Sequence, residues 1–207
     1  MTHTLHRKGT KESLSRDIIL LVRPAKGINS EGSAQKLRQF IEIAMTHNPV
    51  NLGMSQCGNI YSATIYDINN ALEDNRTVNV VFDNKDDLVK LLTKLKETDL
   101  GLSVTCAGLY DVISDSCKQA DIVPHSVNFS LGVFGRTENL PDDRILEFTT
   151  MCGHHQIAPT LVEKIIDEIN AKRLTPKEAA VSLARHCPCG IFNVSRAEWM
   201  FNKITEN

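Results

Sequence analysis

No stretch of this chain approaches the roughly 20 apolar residues that a membrane-spanning helix needs. Nor does a basic-then-apolar leader open it, since residues 1–16 are polar and carry two histidines. An excess of either charge is missing too. The chain has 23 Lys and Arg against 25 Asp and Glu, a net charge of −2, whereas nucleic-acid and anionic-membrane partners select a basic surface. Aromatics make up only 5% of the chain, yet 42% is hydrophobic, which suffices for a continuous core. Two motifs are also absent: a complete G-x-G-x-x-G fingerprint, and the regular four-cysteine spacing of a ferredoxin or zinc ribbon. These absences lead us to expect a soluble, cytoplasmic protein with no nucleic-acid or membrane partner. Its 207 residues suit one domain with an appended subdomain.

Six cysteines in a reducing compartment point to metal ligation or catalysis before disulfides. Three of them stand out, in Met151-Cys152-Gly153-His154-His155 and His186-Cys187-Pro188-Cys189-Gly190. Each stretch reads Cys-Gly, four residues, then a small residue opening a helix, as if one supersecondary unit were used twice. Thiolates flanked by imidazoles are the usual donors of a soft-metal or iron–sulfur site. Cys152, Cys187 and Cys189 are therefore the expected metal ligands. For a fourth ligand we rank Cys106 or Cys57 slightly ahead of His154 or His155. Cys117 follows Leu109 and Ile113 at helical spacing and reads as a small buried hydrophobe.

Apolar periodicity organises the rest. Ile18-Ile19-Leu20-Leu21-Val22 is a continuous apolar run, like a strand buried on both faces. Strand signals recur over residues 50–54, 77–82, 102–105 and 126–131. Helical stripes lie between them, over 33–45, 61–73, 86–97 and 109–120. This alternation predicts a doubly wound, mostly parallel α/β sheet over residues 1–136. The alternative, with residues 59–67 as a strand, is a ferredoxin-like α+β core. From 137 to 207 the signals are helical, including the capping box Thr175-Pro176-Lys177-Glu178 and a similar signature at Ser195-Arg196-Ala197-Glu198.

In a doubly wound sheet, ligands bind at loops that follow the strands. Gly53, Cys57, Gly58, Gly108 and Gly132 stand in such loops and are the candidate cofactor-binding positions. The loop 27–32, with Arg23 and Lys26 nearby, is a candidate phosphate cradle. Cys106, at a strand end before a helix, or Cys152 is a candidate nucleophile, with His154 or His155 as base. Three functions follow. The first is an iron–sulfur or other metal-binding protein with redox or cluster-dependent chemistry, serving a redox partner protein or a small-molecule ligand. The second is a metal-free enzyme with a cysteine nucleophile. The third is a ligand-binding regulatory module that holds a structural zinc. Oligomeric state is not encoded in any of these patterns.

Overall fold

Strand β1 (Ile18–Arg23) is buried on both faces, as its unbroken apolar run requires. Ile18, Leu20 and Val22 enter one core and Ile19 and Leu21 the other. The computed structural model describes residues 6–205. A short helix α1 (Lys11–Leu14) precedes β1, and then come α2 (Ser33–Met45), β2 (Asn51–Met54), β3 (Gly58–Asn59), α3 (Ile65–Asn70), β4 (Val78–Phe82), α4 (Lys85–Thr98), β5 (Ser103–Ala107) and α5 (Tyr110–Gln119). Four helices follow: α6 (Asp143–Thr149), α7 (Pro159–Asn170), α8 (Pro176–Arg185) and α9 (Val194–Thr205).

The strands form one sheet in the order β3-β2-β4-β1-β5, and every neighbouring pair is antiparallel. The mostly parallel, doubly wound arrangement is therefore incorrect, and the fold is α+β. A continuous apolar run reports burial on both faces and says nothing of strand direction. Here the second face is covered by α6–α9 instead of by crossover helices. β1, α2, β2, β4, α4 and β5 interleave as two split βαβ units, with β3 added as an edge hairpin. Residues 59–67 are no strand beyond Asn59. They run into α3, which a capping box between Thr64 and Asp67 starts.

One core lies between the sheet and the helices α2–α5, built on Leu37, Phe40 and Ile41 of α2 and Leu88 and Leu91 of α4. On the other side, Phe148, Ile165, Ala180, Leu183, Phe192 and Phe201 pack against Ile19, Leu21, Val81 and Ala107. Thr175 and Glu178 cap α8 reciprocally, as the motif predicts. The cap of α9 falls two residues earlier than expected: Asn193 Oδ1 accepts from the Arg196 N–H, while Ser195 donates to Asp83 instead. Residues 126–131, expected as a strand, form no strand and lie exposed, with Phe129 against the ring of Tyr110.

Candidate metal centre

Two chain turns build the site. The first follows α6, where the Cys152 carbonyl accepts from the His155 N–H at 3.0 Å. The second follows α8, where the Cys187 carbonyl accepts from the Gly190 N–H at 3.1 Å. Gly190, the last residue of that turn, takes φ +77°, a region costly to any residue with a Cβ. The turns bring Cys152, Cys187 and Cys189 together, each at most 1% exposed. Cys187 Sγ lies 3.9 Å from Cys189 Sγ, and Cys189 Sγ lies 3.5 Å from His154 Nδ1. Cys152 lies close enough to Cys187 for each thiol to shift the other's titration.

The thiols do not titrate alike. Hydrogen bonding to Cys187 and burial push the Cys152 thiol far up. At Cys187 the bond from Cys152 lowers the value, but the bond with Cys189 and burial outweigh it and raise the thiol to about 12. Cys189 is lowered, chiefly by the hydrogen bond from Cys187, with the Ile191 N–H and the charge of Arg7 adding to it. Cys189, the one thiol of the three that is lowered, lies beside an imidazole. Backbone N–H groups of His154 and Gln156 face Cys152, and donors of this kind stabilise anionic sulfur.

The sheet grips the second turn by its carbonyls. Asn59 Nδ2 donates to Ala184 O at 2.9 Å and Cys187 O at 2.8 Å. Asn79 Nδ2 donates to Cys189 O at 2.8 Å, and Asn51 Nδ2 to Phe192 O at 2.8 Å. From the N-terminal segment, Arg7 Nη2 donates to Met151 O at 3.0 Å and Ile191 O at 2.5 Å. Its Nη1 clasps both oxygens of the fully buried Asp17. None of these supporting residues was singled out from the sequence. The available signal was asparagine in three strands, where it is normally depleted.

Other expected positions fall elsewhere. By strand alternation Cys106, paired opposite Leu20, faces the α2–α5 core, and burial pushes its thiol up to about 12, which disfavours the thiolate. Cys57 packs against the same core, as does the buried Cys117. Neither Cys57 nor Cys106 can then reach the trio across the sheet. Because β2 runs parallel to β1 and β5 against it, the two residues also emerge at opposite ends of the sheet. Gly53 opposes Gly190 backbone to backbone, leaving no gap for a ligand. Gly58 begins β3 at φ +113° under the Ser62 hydroxyl. Gly108 is packed beside Ile113, and Gly132 lies in the exposed segment after α5. His155 is exposed at φ +54°. The candidate phosphate cradle is filled from within, since the Gly32 and Ala34 N–H groups donate to the Asp74 carboxylate at 2.9 and 2.8 Å.

Among the described residues, no set of three or more His, Cys, Asp or Glu side chains surrounds a single metal position. The four donors form a chain, not a closed shell. No family model, curated protein or solved structure matches this chain. All six cysteines are free thiols, and no helix among the described residues is long and apolar enough to cross a membrane.

Proposed function

We propose that the protein binds one soft metal ion through Cys152, Cys187, Cys189 and His154. Ligand spacing carries this reading. Zn–S bonds of ~2.3 Å and Zn–N bonds of ~2.0 Å at the tetrahedral angle put two sulfurs about 3.8 Å apart and sulfur from nitrogen about 3.5 Å. The observed separations are 3.9 Å and 3.5 Å. Cys152, buried beside Cys187, completes the set. The donors suit the metal: thiolate and imidazole select zinc or iron over calcium or magnesium. Ligands bound to different irons of an iron–sulfur cluster stand farther apart than ligands on one ion. The spacing therefore favours a single zinc, with the cluster as the second form of the same site, suited to a redox partner.

The chemical role follows from closure. Four protein ligands leave no open position, which is the pattern of structural zinc. Bound there, the ion would fasten the α6–α7 and α8–α9 connections to each other over the sheet. His154, the exposed ligand, is the corner at which metal enters and leaves. Purification without chelator, followed by zinc, iron and sulfide analysis and an absorption spectrum, tests the reading. One equivalent of zinc in a colourless protein supports it, whereas iron with sulfide and a brown colour selects the cluster form. Metal-free protein that takes up neither Zn²⁺ nor Co²⁺ overturns both.

A further inference from the structure

Strand β5 ends the sheet on one side and, among the described residues, pairs with β1 alone. Its burial records the missing neighbour. Ser103 is exposed and Val104, Thr105 and Cys106 are half-buried, whereas every residue of β4 is buried. The unpaired N–H and C=O groups of such an edge are a template for one more strand, and monomeric proteins guard it with charge, proline, a bulge or very short length. The opposite edge is guarded: β3 is two residues long and tied to α8 through Asn59. β5 has five residues with neither charge nor proline, in unbroken register against β1.

The same chain carries a strand pattern without a sheet. Residues 123–140 are all exposed. Within them Val127, Phe129 and Leu131 alternate with Asn128 and Ser130, and Gly132 at φ +99° ends the run. In its own copy the run is held at the head of α5, by Phe129 against the Tyr110 ring and Ser130 Oγ 3.1 Å from His6 Nδ1, and not along β5. Run and edge match in length and in sidedness. On β5, Val104 and Cys106 face the α2–α5 core, and Ser103 and Thr105 face the other way. A strand laid beside them with Val127, Phe129 and Leu131 toward that core would set Asn128 and Ser130 next to Ser103 and Thr105. An apolar pocket lined by Leu95, Leu100, Leu102 and Val104 lies on the same face and offers room for one of its side chains.

We propose that residues 127–131 of one copy pair along the β5 edge of a second copy, and reciprocally, to form a twofold dimer. Both halves of the contact stand on one chain, so exchange covers run and edge in both copies and closes the assembly. A foreign partner would cover one and leave the other. The α5–α6 connection, residues 120–142, carries the run outside both cores, so it reaches across without moving either. No residue of the cysteine turns takes part, so the contact stands apart from the metal-centre reading.

Sedimentation equilibrium of the full chain under a thiol reductant, over a dilution series, tests the proposal. We expect the mass of a dimer that dissociates on dilution. Leu131→Lys, at a position 86% exposed in the single copy, should weaken the dimer at least about tenfold, because it sets an ammonium in each new strand. Val123→Lys, at a position 91% exposed and outside the run, should leave it unchanged. In a mixture of ¹³C-labelled and unlabelled chains, isotope-filtered NOEs should join the Val104 methyls of one copy to Val127, Phe129 or Leu131 of the other. A chain that stays monomeric throughout overturns the proposal, as does equal weakening by the two lysine variants. A dimer without those NOEs, or with them confined to a single chain, overturns it as well.

Discussion

Gly190 and Gly53 touch backbone to backbone: a Cβ on Gly190 would lie 2.5 Å from the Gly53 nitrogen and 2.7 Å from its Cα. This contact seats the second cysteine turn directly on β2. It places Asn51, Asn59 and Asn79 of the sheet within reach of the turn's carbonyls and those flanking it.

Alanine at Gly190 should therefore cost more than a glycine change in an open loop. It combines a Cβ at φ +77° with a clash against backbone that cannot swing away. Strain of ~1–3 kcal/mol and overpacking of ~1–3 kcal/mol together predict a loss of about 2–6 kcal/mol in urea unfolding. Gly132→Ala, at φ +99° with only the Phe134 ring 4.0 Å away, carries the backbone strain without the clash and serves as the control, costing about 1–3 kcal/mol. Equal midpoints for the two variants would refute the close-approach role.

Asn59 satisfies two buried carbonyls with one amide. Asn59→Leu leaves the Ala184 and Cys187 oxygens without that donor, at roughly 1–3 kcal/mol for a buried polar group. Its destabilisation should exceed that of Asn69→Leu, whose Oδ1 already lacks a partner. Thermal melts of both variants, with and without added Zn²⁺, measure the difference. If the metal centre forms as proposed, zinc raises the melting temperature of wild type and recovers less of it in Asn59→Leu.

How far the sequence foretold this site depends on which physical signal was in play. The cysteine trio was legible because the repeated Cys-Gly turns sit between strong helix signals, and those helices need a common surface. The fourth partner was not. Choosing between Cys106 and His154 requires knowing which way each strand residue points, and period-2 alternation opposite Leu20 turns Cys106 away. Strand direction was equally hidden, because the run 18–22 is apolar whether crossover helices or α6–α9 cover its second face. Residues 126–131 alternate apolar and polar as a strand does, but alternation makes no strand without a neighbour to pair with.

Acid should loosen the N-terminal clasp. Burial alone would raise the Asp17 carboxyl, but the guanidiniums of Arg7 and Arg196 outweigh it and hold it below its ordinary value of 3.8. A carboxyl lowered in the folded state contributes stability that is fully present above the unfolded value. That contribution is lost as pH falls through the folded one. Stability should therefore decline below about pH 4. Asp17→Asn should flatten that decline while costing ~3–5 kcal/mol at neutral pH, since two buried arginines lose their shared partner. Urea midpoints from pH 2 to 7 read both effects. An unchanged acid profile in the variant would show that other carboxylates govern it.

The two faces of the sheet should also separate the cysteines chemically. Cys106 and Cys117 pack with the α2–α5 core, and Cys152, Cys187 and Cys189 with the α6–α9 core. Cys117→Ala removes a small buried side chain and should cost about 1 kcal/mol, leaving bound zinc at wild-type stoichiometry. Cys106→Ala should behave alike with respect to metal, its thiol held protonated by burial. Replacing any one of the trio with serine should instead lower Zn²⁺ affinity by at least tenfold. Zinc added before a thiol alkylating reagent should protect the trio, while the labelling of Cys57, Cys106 and Cys117 stays the same. Mass spectrometry of the labelled peptides resolves each cysteine. Protection of Cys106 by zinc, or alkylation of Cys189 at the same rate with and without it, would place the metal somewhere other than between the two cysteine turns.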